Sequence, residues 1–270
     1  MARQRRFRLA ASVALLALSL VPVGERASAR AEPAPAGPAP SPALPAEVGV
    51  ELPPAELPAG VEAGASVLVP VPGDKPALVI HAPAANRRAI IYLHGLCGNV
   101  RAVEAWRQAA VASGTLISLL GDRPCGGGRY HWGKKLEVIE ARIERALQAV
   151  QAARGGLLDS ERPVLFGYSQ GADRAEALVA RQPKRYRLVV LGGASREPKL
   201  RHLGDATAVA VFGGELETWG HMRAGAEVLA AAGKTARFFL FPKAKHGEFG
   251  PDGNRVMSEV FTWLLSADDS

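Results

Sequence analysis

The pattern that most limits how this chain can fold is a regular alternation between residues 66 and 265. Short apolar runs trade places with longer, helix-like ones. Ser66–Val71 and Ala77–His81 are rich in strand formers and flank Pro72-Gly73-Asp74, which predicts an opening hairpin. Six further runs, Ala89–Leu93, Leu116–Leu120, Val164–Tyr168, Arg187–Leu191, Ala208–Phe212 and Ala236–Phe241, have the continuous apolar character of strands buried on both faces. Helices are predicted between them over Val100–Ala112, Lys134–Ala153, Gly171–Ala180 and His221–Ala232, with a last one over Val256–Leu265. In Lys134–Ala153 the residues Leu136, Ile139, Ile143, Leu147 and Val150 recur at spacings of three and four, which places them on one helical face. Such alternation predicts an α/β fold with a mostly parallel sheet and helices on both faces. Ligands of sheets of this kind bind past the carboxyl ends of the strands.

Four of those strand ends carry residues with chemistry. Val164–Tyr168 runs into Ser169, within Gly167-Tyr168-Ser169-Gln170-Gly171. With 13 serines and 29 glycines in the chain, a Gly-x-Ser-x-Gly pentapeptide would arise by chance about 0.15 times, so its setting matters more than its letters. Here the setting is strand, turn, helix. Ala208–Phe212 is followed by Gly213-Gly214-Glu215-Leu216-Glu217, and Ala236–Phe241 by Pro242-Lys243-Ala244-Lys245-His246-Gly247. Ala89–Leu93 is followed by His94-Gly95-Leu96-Cys97-Gly98. A serine, an acid and a histidine therefore share one rim, in that chain order.

On these residues the chain resembles the α/β-hydrolase superfamily of serine hydrolases over roughly residues 65 to 266. Within it, the chain looks most like small secreted carboxylesterases and polyhydroxybutyrate-depolymerase-like esterases. The resemblance implies an eight-stranded α/β-hydrolase sheet, with Ser169 as nucleophile and His246 as its base. It implies a carboxylate behind the histidine. Glu217 has the Gly-x-x-acid spacing, Glu215 is the alternative, and Glu197 after Leu191 is a more distant one. The family more often has aspartate at this position. The backbone N–H groups of Leu96 and Gln170 are implied as the oxyanion hole, with His94 supporting the first of these loops. The implied strand order makes the loops after Leu93 and Leu120 neighbours. Cys97 and Cys125, the only cysteines, are therefore expected to form a disulfide that pins the oxyanion loop to the Gly126-Gly127-Gly128 loop.

The first residues look like an export signal. Arg3, Arg5, Arg6 and Arg8 precede an apolar run from Leu9 to Val23, short for a membrane span, and small-x-small cleavage sites follow at Ala27-Ser28-Ala29 and Ala29-Arg30-Ala31. Residues 1–29 are read as a signal peptide, 30–60 as a Pro/Ala-rich linker and 61–270 as the hydrolase domain. The expected location is periplasmic or extracellular, with no stable membrane span in the mature protein. The full chain carries +7; residues 1–29 hold five arginines and one glutamate, which leaves about +3 for the rest. That balance, without basic runs or aromatic-basic ladders, argues against nucleic acid as a partner. His81, His131, His202 and His221 form no spaced cluster with cysteines or acids, so no metal and no cofactor is expected.

Only Gly192–Thr207 separates Leu191 from the next strand, which leaves no room for a large cap domain and predicts an open site. Tyr130 and Trp132 after the glycine loop, and Trp219 after the acid turn, are candidate pocket residues. Together these readings predict an exported esterase acting on a small-molecule or polymeric ester through an acyl-enzyme. A peptidase or acyltransferase would use the same three residues, and a non-catalytic binding module would keep only the fold. No feature of the sequence specifies an oligomeric state.

Overall fold

The computed structural model describes residues 56–268. The expected signal peptide and residues 30–55 of the expected linker lie outside the described residues. In chain order the elements are β1 (Ser66–Val69), β2 (Ala77–Ile80), β3 (Arg88–Leu93), a 3-10 helix (Val100–Trp106), α1 (Arg107–Ser113), β4 (Thr115–Leu119), β5 (Arg123–Gly126), β6 (Arg129–His131), α2 (Leu136–Ala153), β7 (Asp159–Tyr168), α3 (Gln170–Arg181), β8 (Leu188–Gly192), α4 (Leu200–Leu203), β9 (Ala208–Gly214), α5 (Gly220–Ala231), β10 (Thr235–Phe241) and α6 (Gly253–Ser266).

Eight of the strands form one sheet in the order β1-β2-β4-β3-β7-β8-β9-β10. β2 runs antiparallel to both its neighbours, and the pairs from β4 to β10 are parallel. Strand alternation divides the apolar runs between two cores. Ala89, Ile91 and Leu93 of β3, Leu165 of β7 and Val209 and Val211 of β9 enter the core on the side of α2, α3 and α5. Ile90 and Tyr92, Val164 and Phe166, and Ala208 and Phe212 enter the core beneath the 3-10 helix, α1 and α6. Both faces are covered, which is why these strands read as unbroken apolar runs. Between β8 and β9 the only helix is the four-residue α4, so among the described residues no cap domain is inserted between these strands.

Three departures from the sequence expectations have visible causes. The helix predicted over Val100–Ala112 is a 3-10 helix, capped by the Asn99 side chain, followed by α1; Trp106, with φ −136°, breaks it. Its ring is fully buried against Phe166, Phe249 and Phe261, and that burial outweighs one continuous helix. β7 begins at Asp159, five residues before its apolar run, because its exposed first half still pairs with β3 through Arg88. The glycine loop after β4 is a small hairpin, β5 with β6, whose turn residues Gly126, Gly127 and Gly128 all have positive φ. It lacks apolar alternation and so leaves no strand signal.

At the amino ends of the strands, the buried Arg154 guanidinium donates to the carbonyls of Ala82, Pro83, Asn86 and Leu157. His81 lies nearby, 2% exposed, and its Nδ1 has no hydrogen-bond partner among the described residues. Burial, aided by the Arg154 charge, pushes the His81 pKa down from 6.5 to about 4. The unfolded chain therefore takes up this proton more readily than the folded one. Stability from the neutral ring is complete above pH 6.5 and is lost as pH falls from 6.5 toward 4. In urea titrations at pH 7.5 and 4.5, the parent protein should lose about 2–3 kcal/mol more than His81→Phe between the two pH values. Equal losses would remove His81 from the account of acid sensitivity.

Candidate active site

Ser169 sits at the tip of the turn between β7 and α3, with φ 52° and ψ −118°. A serine held in that region costs about 1–3 kcal/mol and persists only where its surroundings impose it. The surroundings here are close. Ser169 donates its N–H to the Gly192 carbonyl at 2.8 Å, and its own carbonyl accepts from Ala172 N–H at 2.9 Å. A Cβ on Gly171 would collide with the Leu93 carbonyl, and one on Gly95 would stand 3.1 Å from Ser169 Cβ. These two glycines let α3 and the loop after β3 close around the serine.

The residues expected past β9 and β10 meet it. His246 Nε2 lies 3.0 Å from Ser169 Oγ, and His246 Nδ1 lies 2.5 Å from Glu217 Oε2. The other Glu217 oxygen accepts from Gly214 N–H at 2.6 Å. Glu215 points elsewhere: its Oε2 accepts from Lys243 N–H at 2.8 Å. Of the two glutamates, Glu217 is thus the one placed behind the histidine. Burial by itself would raise the Glu217 carboxyl, but hydrogen bonds from His246 and Gly214 hold it below the usual carboxylate range. The hydrogen bond to Glu217 holds the His246 pKa above 6.5 against partial burial. With Nδ1–H donating to the Glu217 carboxylate, Nε2 is the acceptor for the Ser169 hydroxyl. A chain of this kind can draw a proton from the hydroxyl as the oxygen attacks a carbonyl.

A cavity of about 380 Å³ opens beside Ser169 and His246, with Gly95 and Leu96 on its wall. The Leu96 N–H and the Gln170 N–H, the first of α3, have no backbone acceptor among the described residues. His94 holds the Leu96 loop. Its Nδ1–H donates to the Gly95 carbonyl at 2.7 Å, and its Nε2 accepts from Gly121 N–H at 2.9 Å. Burial lowers its pKa, so it is the neutral Nδ1–H form that spans the two loops. Cys97 is joined to Cys125, which ties the same loop to the β5–β6 hairpin.

The expected pocket residues are placed otherwise. Trp132 is 1% exposed, belongs to the core on the α2 side and donates its Nε1–H to the His94 carbonyl at 2.8 Å. Trp219 stacks on Phe238, and the Tyr130 ring receives the Lys75 ammonium. None of the three lines the cavity beside Ser169, which corrects that expectation. Its walls come instead from the opposite face of the sheet: Tyr92, Asn99, Ala102, Tyr168 and Phe249. Tyr168 occupies a variable position of the serine motif, which carries no signal for a wall residue. Its hydroxyl accepts from Gly247 N–H at 2.7 Å and so seats the residue next to His246. Among the described residues no group of three or more His, Cys, Asp or Glu could hold a metal ion, and no helix is long and apolar enough to cross a membrane.

No protein-family model and no curated protein matches the chain by sequence. Solved structures do match it in shape. A fluorophosphonate-binding serine hydrolase F of Staphylococcus aureus, solved with substrate bound, superposes with a TM-score of 0.54 at 12% identity, over 74% of this chain and 97% of that one. Est1E of Butyrivibrio proteoclasticus superposes with a TM-score of 0.53 at 11% identity, over 76% and 99%. At such identities the likeness establishes architecture: the sheet order, the parallel strands and the helices on both faces are those of the α/β-hydrolase fold.

The Cys97–Cys125 bond closes a loop with a sequence separation of 28. In the chain-entropy model such a bond contributes about 3–4 kcal/mol. The double variant Cys97→Ser/Cys125→Ser should lose about that much in urea titrations, and thiol titration of the denatured parent should find no free thiol. Two reactive thiols in the parent would refute the bond.

Proposed function

We propose that this α/β-hydrolase-fold protein is an exported serine hydrolase that cleaves carboxylic esters through an acyl-enzyme. One observation carries the reading: the hydrogen-bonded chain Ser169–His246–Glu217, at the open carboxyl edge of the sheet and against a cavity. Ser169 Oγ attacks the ester carbonyl while His246 Nε2 takes its proton. Glu217 fixes the histidine tautomer and stabilises the imidazolium. The oxyanion forms toward Leu96 and Gln170 N–H. His246 then returns the proton to the departing alcohol, and water, activated by the same histidine, releases the acid. The arginine-headed apolar segment at residues 1–29 supports export.

Turnover of p-nitrophenyl acetate and butyrate tests this directly. Ser169→Ala should lower kcat by roughly five orders of magnitude, and a fluorophosphonate should label Ser169 alone in the parent. Absence of serine-dependent turnover on esters, amides and thioesters would leave the fold without the activity.

The two glutamates should separate cleanly. Glu217→Ala should cost about three to four orders of magnitude in kcat, and Glu215→Ala less than about tenfold. Because His246 works as a neutral base, kcat/KM should fall as pH drops through a value above 6.5. In Glu217→Gln that limb should move to lower pH; an unmoved limb would assign it to another group.

A further inference from the structure

Tyr92 is the one wall of the cavity whose polar group has no evident structural task. It is 1% exposed and sits on β3 across from Ser118 and Phe166. Edge-on contacts with Trp106, at 5.9 Å between centroids, and Phe166, at 4.9 Å, fix its ring. Yet its hydroxyl meets no hydrogen-bond partner among the described residues, and the side chain lines the cavity that holds Ser169 and His246. The neighbouring Tyr168 differs, since its hydroxyl is already engaged by Gly247 N–H. Burial raises the ionisation of Tyr92 far above the ordinary phenol range, so its group is a neutral O–H. The hydroxyl oxygen is not wholly enclosed, so it is open to a partner brought into the cavity. Of the other walls, Ala102, Phe249 and the Tyr168 ring are apolar, the Asn99 side-chain oxygen is engaged by Arg101 N–H, and about 380 Å³ suits a small group.

We propose that Tyr92 reads a hydrogen-bonding oxygen on the substrate group that enters this cavity, so that the enzyme favours small acyl or alkoxy groups carrying an ether, hydroxyl or carbonyl oxygen over alkyl groups of equal size. This rests on the ester-hydrolase reading. The Tyr92 O–H donates to that oxygen, while the apolar walls limit its length.

Two ester pairs that exchange one methylene for one oxygen test it. Butyrate against methoxyacetate p-nitrophenyl esters probes the acyl half; butyl against 2-methoxyethyl acetate probes the alkoxy half. Each kcat/KM is divided by that ester's alkaline hydrolysis rate. In the parent, the oxygen member of at least one pair should be preferred, and Tyr92→Phe should reduce that preference about five- to tenfold. Binding of methyl butyrate, methyl methoxyacetate and the two acetates to the Ser169→Ala and Ser169→Ala/Tyr92→Phe proteins, followed by NMR titration, gives the same comparison without turnover. Preferences unchanged by Tyr92→Phe in both measurements, for both pairs, overturn the inference. A Tyr92-dependent binding preference without any Ser169-dependent turnover sustains the recognition and overturns the hydrolase reading instead.

Discussion

Everything at the carboxyl edge depends on how closely α3 and the loop after β3 approach each other around Ser169. The serine occupies a backbone region that its side chain disfavours, and no local interaction alone would keep it there. It is kept by crowding. The α3 turn at Gly171 lies against the Leu93 carbonyl, and Gly95 lies against the serine Cβ. The same approach leaves Leu96 and Ser169 on the wall of one cavity. The strained turn and the seating of the loop after β3 are therefore consequences of a single packing event, which a side chain at Gly171 would undo and one at Gly95 would crowd.

The histidine and the acid are positioned by a second event of the same kind. The turns after β9 and β10 are laced together before their side chains meet. Glu215 N–H donates to the Phe241 carbonyl and Leu216 N–H to the Ala244 carbonyl, while Glu215 Oε2 receives Lys243 N–H. Lys243 has φ 53°, so the glutamate steadies a turn that the lysine side chain does not favour. The two carboxylates thus divide the labour: Glu215 holds the loop and Glu217 holds the ring that the loop carries. Tyr168, from the strand that delivers the serine, completes the connection at Gly247.

Much of this could be read in the sequence because it depends on position along strands. Ser169, His246 and the Glu215–Glu217 turn follow apolar runs, and any parallel sheet brings such ends to one edge. The choice between Glu215 and Glu217 was not legible, because it depends on side-chain direction within a turn, decided here by the Gly214 N–H that Glu217 accepts. The cavity walls are illegible for a related reason. Trp132 and Trp219 are near the rim in sequence, but they pack on the α2–α5 side, whereas the cavity opens toward the 3-10 helix. Aromatic residues near a strand end say little about which face they serve. Tyr92 and Phe249 were hidden because burial and cavity-lining look alike in a string of letters.

The loop between β8 and β9 carries only the four-residue α4, and the His246 side chain remains about half exposed. On the proposed chemistry, this sets a competition at the second step. An acyl group on Ser169 would meet solvent without waiting for any cover to open, so every other acceptor would compete against water at its full bulk concentration. Net acyl transfer would demand a bound acceptor held in the cavity for longer than water needs to attack. On that chemistry, a site this open would turn a serine acyl-enzyme toward hydrolysis by its surroundings as much as by its reactive groups.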